Sequence, residues 1–121
     1  HILFPVAIED DTVPPSSGKA LARALQIPHV GPVLDSVPFL VHEAAPVRGN
    51  FNEGSSTAAF FQYDRVTKND NVVAANHGNL PLSPEGFLQS LTFFESWLTH
   101  AAPVVIDPYD SLMTPPLDDE P

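Results

Sequence analysis

The chain has no cysteine, so neither a disulfide nor a thiolate metal site can form, and either redox compartment suits it. Basic residues are scarce: five Lys and Arg stand against fifteen Asp and Glu, a formal net charge of −10. Binding to nucleic acid needs basic patches that neutralise phosphates, so that class of partner is excluded. The acidity favours solubility and repels anionic surfaces. No apolar run approaches the roughly 20 residues that a membrane helix requires, so no transmembrane segment is expected. No two histidines stand at H-x-x-x-H spacing, which leaves no recognisable zinc motif. No motif calls for a cofactor, and no internal repeat is visible.

Proline is what the chain has in quantity, fourteen in 121 residues, which points to much loop and a modest core. This length makes one domain, or a piece of one. The chain opens on His1-Ile2-Leu3-Phe4, already inside what reads as a buried strand, so upstream sequence is expected to belong to it.

Ile2 to Ile8 is a near-continuous apolar run, the pattern of a strand in a parallel sheet covered on both faces. Pro5 counts against a central ladder position and suggests an edge, a bulge or a strand start. Ser16 or Ser17 can cap a helix to about Gln26, whose Leu21, Ala24 and Leu25 share a face. Residues 27–55 carry Pro28, Pro32, Pro38 and Pro46. They read as an irregular insertion, with a short strand at Val37 to Val41. Thr57 to Val66 is the second good strand. Ser83-Pro84-Glu85 then opens a helix to about Thr99, with serine at the cap, proline first and an acid in the first turn. Phe87, Leu91, Phe94 and Leu98 form its apolar stripe, expected to face the core. Residues 101–121 alternate prolines with acids and close on Asp118-Asp119-Glu120, a tail expected to be extended or disordered. The expected class is α/β, an end of a larger sheet with two to three strands and two main helices.

Two polar sites follow the apolar runs. Asp10 lies in Glu9-Asp10-Asp11-Thr12-Val13-Pro14, and His77 in Asn76-His77-Gly78-Asn79. A carboxylate and an imidazole in that order suit the last two members of a Ser-Asp-His triad. The apolar strand, the D-x-x-V-P string of Asp10, Val13 and Pro14, the Ser17 to Ala22 helix start and the His77-Gly78 pair before a final helix resemble the end of an α/β-hydrolase, of the bacterial esterase and lipase kind. The resemblance covers about residues 1–26 and 57–99. It implies that Asp10 is the triad acid, rather than Asp11, because Asp10 falls four residues before Pro14. It also implies that His77 is the general base, with Gly78 serving a sharp turn. An ester or lipid substrate follows from it, and a secreted or cell-envelope setting fits.

The nucleophile is not convincingly present. Gly54-Ser55-Ser56-Thr57-Ala58 comes near G-x-S-x-G, but an elbow follows a buried strand and opens a helix. Here a polar segment precedes Ser56 and a strand follows. The 67-residue separation of Asp10 and His77 is long for the family, which fits an insertion at 27–55 and leaves His42 as the fallback base. An acid run such as residues 9–11 can also bind Ca²⁺, but no other oxygen ligands stand at a recognisable spacing. Two readings result. One is a serine carboxylic-ester hydrolase split so that this chain carries acid and base, inactive alone, with the serine on an N-terminal portion in the same precursor or a companion chain. The other is a non-catalytic acidic interaction module in which Asp10 and His77 are incidental.

Overall fold

The structure, a computed structural model, describes residues 1–117. Its class is α/β, with one four-stranded parallel sheet, two antiparallel strand pairs and three helices among the described residues. The main sheet has the order β1-β5-β2-β3, formed by β1 (Ile2–Ala7), β5 (Ala58–Tyr63), β2 (His29–Val30) and β3 (His42–Glu43), all parallel. Helix α1 (Pro15–Leu25) follows β1, α2 (Pro84–Thr99) is the longest helix, and α3 (Pro108–Leu112) is short. Between β3 and β5 lies β4 (Val47–Arg48), paired antiparallel with β8 (Val104–Val105). The hairpin of β6 (Arg65–Lys68) and β7 (Asn71–Ala74) projects beyond the end of β5.

The expected neighbours, Ile2 to Ile8 and Thr57 to Val66, do pair in parallel, in register from Ile2 with Ala58 to Ala7 with Tyr63. All six residues of β5 are buried, because strands cover both its edges and helices its faces. Phe60 packs with Ala22, Ile27, Phe4 and Val6; Phe61 packs with Tyr63, Val66 and Tyr109 on the other side. Truncating either phenylalanine to alanine would cost about 3–5 kcal/mol.

The second strand ends earlier than the sequence suggests. It breaks at Asp64, where the Tyr109 hydroxyl accepts from the Asp64 and Arg65 amides at 3.2 and 3.3 Å and lies 3.0 Å from the Asp64 carboxylate. Helix α1 starts at Pro15, with no serine cap: Pro14 holds the cap position and makes no side-chain bond.

Four expectations need correction. Residues 27–55 are not only an irregular insertion, since β2 and β3 extend the main sheet. Val37 to Val41 is not a strand; Phe39 has φ of +70°, and strand geometry begins at His42. Buried Gln62 pins this segment by accepting from the Leu34 and Asp35 amides and donating to the Asp35 carbonyl.

Residues 101–117 are not an extended tail. Val105 and Tyr109 are buried, β8 pairs with β4, and Asp107 caps α3 by accepting from the Tyr109 amide. Asp118, Asp119 and Glu120 lie outside the described residues.

Helix α2 turns the opposite way. Glu85, Gln89 and Phe93 face inward, while Phe87, Leu91, Phe94 and Leu98 are exposed by 62, 38, 56 and 86 %. The reason is polar anchoring. The Glu85 carboxylate accepts from the Thr67 amide and hydroxyl and from the Thr114 hydroxyl, and Gln89 donates to the Ile106 carbonyl. Those bonds fix which face meets the sheet, whatever the apolar period says.

Candidate active site

Because β1 and β5 are adjacent and parallel, the loops leaving their carboxyl ends emerge side by side, where open α/β sheets hold ligands. Asp10 lies in the loop after β1. The chain from β5 passes through the β6–β7 hairpin and returns with His77. Across 67 residues of sequence, His77 Nδ1 lies 3.1 Å from Asp10 Oδ2.

The carboxylate is set before the histidine arrives. Asp10 Oδ1 accepts from the Thr12 and Val13 amides, both at 2.8 Å, a side-chain turn typical of aspartate. The Val13 bond foremost, then the Thr12 bond and His77, hold the Asp10 carboxyl below its ordinary value, against a partial loss of hydration. It is therefore ionised across the neutral range, with Oδ2 free for the imidazole. Asp11 is exposed and takes only a 3.4 Å contact from Thr12. Asp10 is thus the acid that reaches the histidine.

Two asparagines that sequence reasoning passed over lock the histidine loop. Asn76 Oδ1 accepts from the Gly78 and Asn79 amides, Asn79 Oδ1 accepts from the Asn76 amide, and Asn79 Nδ2 donates to the Ala74 carbonyl. The N-x-x-N string was the available signal, since each side chain can cap the other's backbone. Gly78 does not serve the sharp turn expected of it. It has no positive φ, and an added Cβ would meet nothing nearer than Asn76 Oδ1 at 3.6 Å. The demanding glycine is Gly86, where a Cβ would sit 2.2 Å from the Leu80 carbonyl oxygen. That close approach seats α2 against the end of the histidine loop.

The Asp10 side chain is 10 % exposed and that of His77 is 55 % exposed. Among the described residues no group bonds His77 Nε2. With Nδ1–H donating to Asp10, Nε2 carries the lone pair, the tautomer that a general base needs. Beside the pair runs a groove of about 480 Å³, lined among others by Phe4, Val6, Val13, Leu21 and Leu80. Ser17 and Ser90 also line it, but neither bonds His77.

The other candidates lie elsewhere. Ser56 forms a bridge with Phe51 just before β5, at the opposite end of the sheet and roughly 20 Å of strand from Tyr63. His42 is on β3, two strands beyond β5, and its Nε2 is 2.7 Å from the Gly31 carbonyl. His29 is buried in β2, and His100 Nδ1 is 2.8 Å from the Thr99 hydroxyl. Among the described residues no three His, Asp or Glu gather as a metal set, and no helix is long and apolar enough to cross a membrane. Comparisons with protein-family models, curated proteins and solved structures give no match for this chain.

Proposed function

We propose that this chain is the C-terminal part of an α/β-hydrolase-fold serine carboxylic-ester hydrolase, of the esterase and lipase type, carrying the triad acid and base. The observation behind this reading is the 3.1 Å contact of Asp10 Oδ2 with His77 Nδ1, at the carboxyl ends of two adjacent parallel strands. The serine and the oxyanion-stabilising amides come from an N-terminal portion, in the same precursor or as a companion chain.

In that assembly His77 Nε2 removes the serine proton as the oxygen attacks the ester carbonyl. Asp10 holds the tautomer and stabilises the imidazolium without taking the proton. The imidazolium then protonates the departing alkoxide, leaving an acyl-serine. Water, deprotonated by the same Nε2, attacks the acyl carbon, and the serine recovers its proton as the acid leaves. This chain alone is expected to be inactive.

The test joins the chain to the portion upstream in its reading frame. Hydrolysis of p-nitrophenyl butyrate is expected, with fluorophosphonate labelling of one serine. Both should fall to background in His77→Ala. A joined protein that neither hydrolyses nor labels would favour the acidic interaction module instead.

A further inference from the structure

We infer that Glu85 is a positioning residue for His77: its buried carboxylate clasps the two ends of the chain segment that carries the histidine, and so sets where the ring points. That His77 then acts as a base rests on the hydrolase reading, while the aim of the ring does not.

His77 stands between the β6–β7 hairpin and the start of α2. A two-stranded hairpin is marginal by itself in water, and β6 and β7 pair with no other strand among the described residues. The hairpin therefore needs an anchor. Thr67 of β6 lies opposite Val72 of β7, and its amide donates not across the hairpin but to Glu85 Oε2 at 3.0 Å. Glu85 Oε1 accepts from the Thr67 hydroxyl at 2.7 Å and from the Thr114 hydroxyl at 2.8 Å. Thr67 and Glu85 are 18 positions apart, and the bonds between them close a loop that contains His77.

From the clasp to the ring the chain is tied on both sides. On the helix side, Ser83 Oγ accepts from the Gly86 amide at 3.0 Å and donates to the Leu80 carbonyl at 2.9 Å. The Leu80 amide in turn donates to the Asn76 carbonyl at 3.1 Å. On the hairpin side, the carbonyl of Ala74, where β7 ends, accepts from Asn79 Nδ2 at 2.9 Å. A shift of Thr67 relative to Glu85 is thus passed to Asn76 and Asn79, which hold the histidine between them.

The chemistry of the clasp asks for an acid. Glu85 is fully buried and makes no ion pair among the described residues, a costly way to fill space. What a carboxylate adds is two oxygens that only accept, so it can take an amide and two hydroxyls at once. Fixing register is the best-attested use of such buried charge. Burial pushes the Glu85 pKa up, yet the Thr67 amide and hydroxyl and the Thr114 hydroxyl outweigh it and hold the carboxyl below its ordinary value. The acceptor is therefore ionised across the neutral range. Thr114 supplies the control: it bonds the same oxygen as the Thr67 hydroxyl but lies outside the loop that bears His77.

The test labels the histidines of the joined polypeptide with nitrogen-15 and reads the His77 ring at a pH where it is neutral, beside kcat, KM and the unfolding midpoint. In the parent the ring proton should sit on Nδ1. Glu85→Gln keeps the shape but brings a donor to a site made of donors. Both His77 tautomers should then be populated, and kcat should fall about 10–100-fold with KM little changed. Thr67→Val should shift the tautomer in the same direction by less. Thr114→Val should lower the unfolding midpoint about as far as Thr67→Val does, yet leave the His77 tautomer and kcat as in the parent. The two threonine variants decide the matter even where Glu85→Gln does not fold. A parent-like tautomer in folded Glu85→Gln, or equal tautomer shifts in both threonine variants, would overturn the clasp and leave Glu85 as a residue that only holds the fold. Mixed tautomers in Glu85→Gln beside a parent that hydrolyses no ester support the clasp and sink the hydrolase reading. Hydrolysis by the parent, with its tautomer kept in all three variants, keeps the enzyme and overturns the clasp.

Discussion

His29 lies in a strand of the parallel sheet and His77 in the loop that returns to its carboxyl end, and the two imidazoles are placed for opposite purposes. His77 is half exposed, its Nδ1 held by a carboxylate that is itself fixed by two amides. His29 is 3 % exposed, with the Phe60 ring at 5.2 Å and the His42 ring at 5.7 Å, and its Nε2 has no partner. Desolvation, then the charge of His42, pushes its pKa down, with the Pro32 carbonyl opposing. A histidine serves as a base where a carboxylate fixes one nitrogen and the other can be reached. One that is buried without an acid is part of the core.

The sharpest way to break this contrast is to remove each ring. In the joined enzyme His77→Ala should lower kcat by roughly 10⁵–10⁶-fold. His29→Ala should leave kcat of the folded fraction within about threefold while lowering the unfolding midpoint, as a buried large-to-small change does. Equal losses of kcat from both, measured on folded protein, would remove the distinction.

Next in size is the acid. Asp10→Asn keeps the shape but offers an amide where the imidazole needs an acceptor, so kcat should fall on the order of 10⁴-fold. Asp11→Asn, one residue away without contact to His77, should change kcat less than about threefold. A reversed order would move the triad acid to Asp11.

The loop lock comes third. Asn79→Ala removes bonds to the Asn76 amide and the Ala74 carbonyl, leaving His77 present but loosely aimed. Misplacement on the scale of 1 Å can cost about 10²-fold, so kcat should drop by about 10–100-fold with KM little changed. An unchanged kcat would show that Asp10 alone positions the ring.

The same contrast separates what was legible in the sequence from what was not. Asp10 and His77 could be read because each sits in a polar loop just after an apolar run, and strand order brings loops together. The strands within 2–8 and 57–66 were legible for the same reason, that long apolar runs have one place to go, though the break at Asp64 was not. The orientation of α2 was not, because Glu85, Gln89 and their distant acceptors and donors decide it, and no local period encodes Thr67, Thr114 or Ile106. The tail was misread because its acids and prolines outweighed Tyr109, whose hydroxyl finds Asp64 and whose ring packs on Tyr63. Gln62 reads as an outward-facing strand residue until Leu34 and Asp35 are seen to bond it.

The smallest effect concerns His29 and pH. Its folded pKa lies below the ordinary value of 6.5, so the unfolded chain binds the proton more readily. Stability from this residue is complete above about pH 6.5 and is lost as pH falls below it toward the folded value, with a slope of no more than about 1.4 kcal/mol per pH unit for one proton. Asp10 and Glu85, both lowered, act in the same sense but below their ordinary values of 3.8 and 4.5, outside a window of pH 7.5 to 5.5. Asp107, raised first of all by burial, acts in the opposite sense, so the wild-type slope mixes contributions. The clean measurement compares urea midpoints at pH 7.5 and 5.5 for the joined protein and for His29→Phe. The variant keeps a ring against Phe60 and removes the titration, so its midpoint should fall less on acidification. Equal falls would mean that His29 takes up its proton without opening the core, and that burial does not separate it from His77.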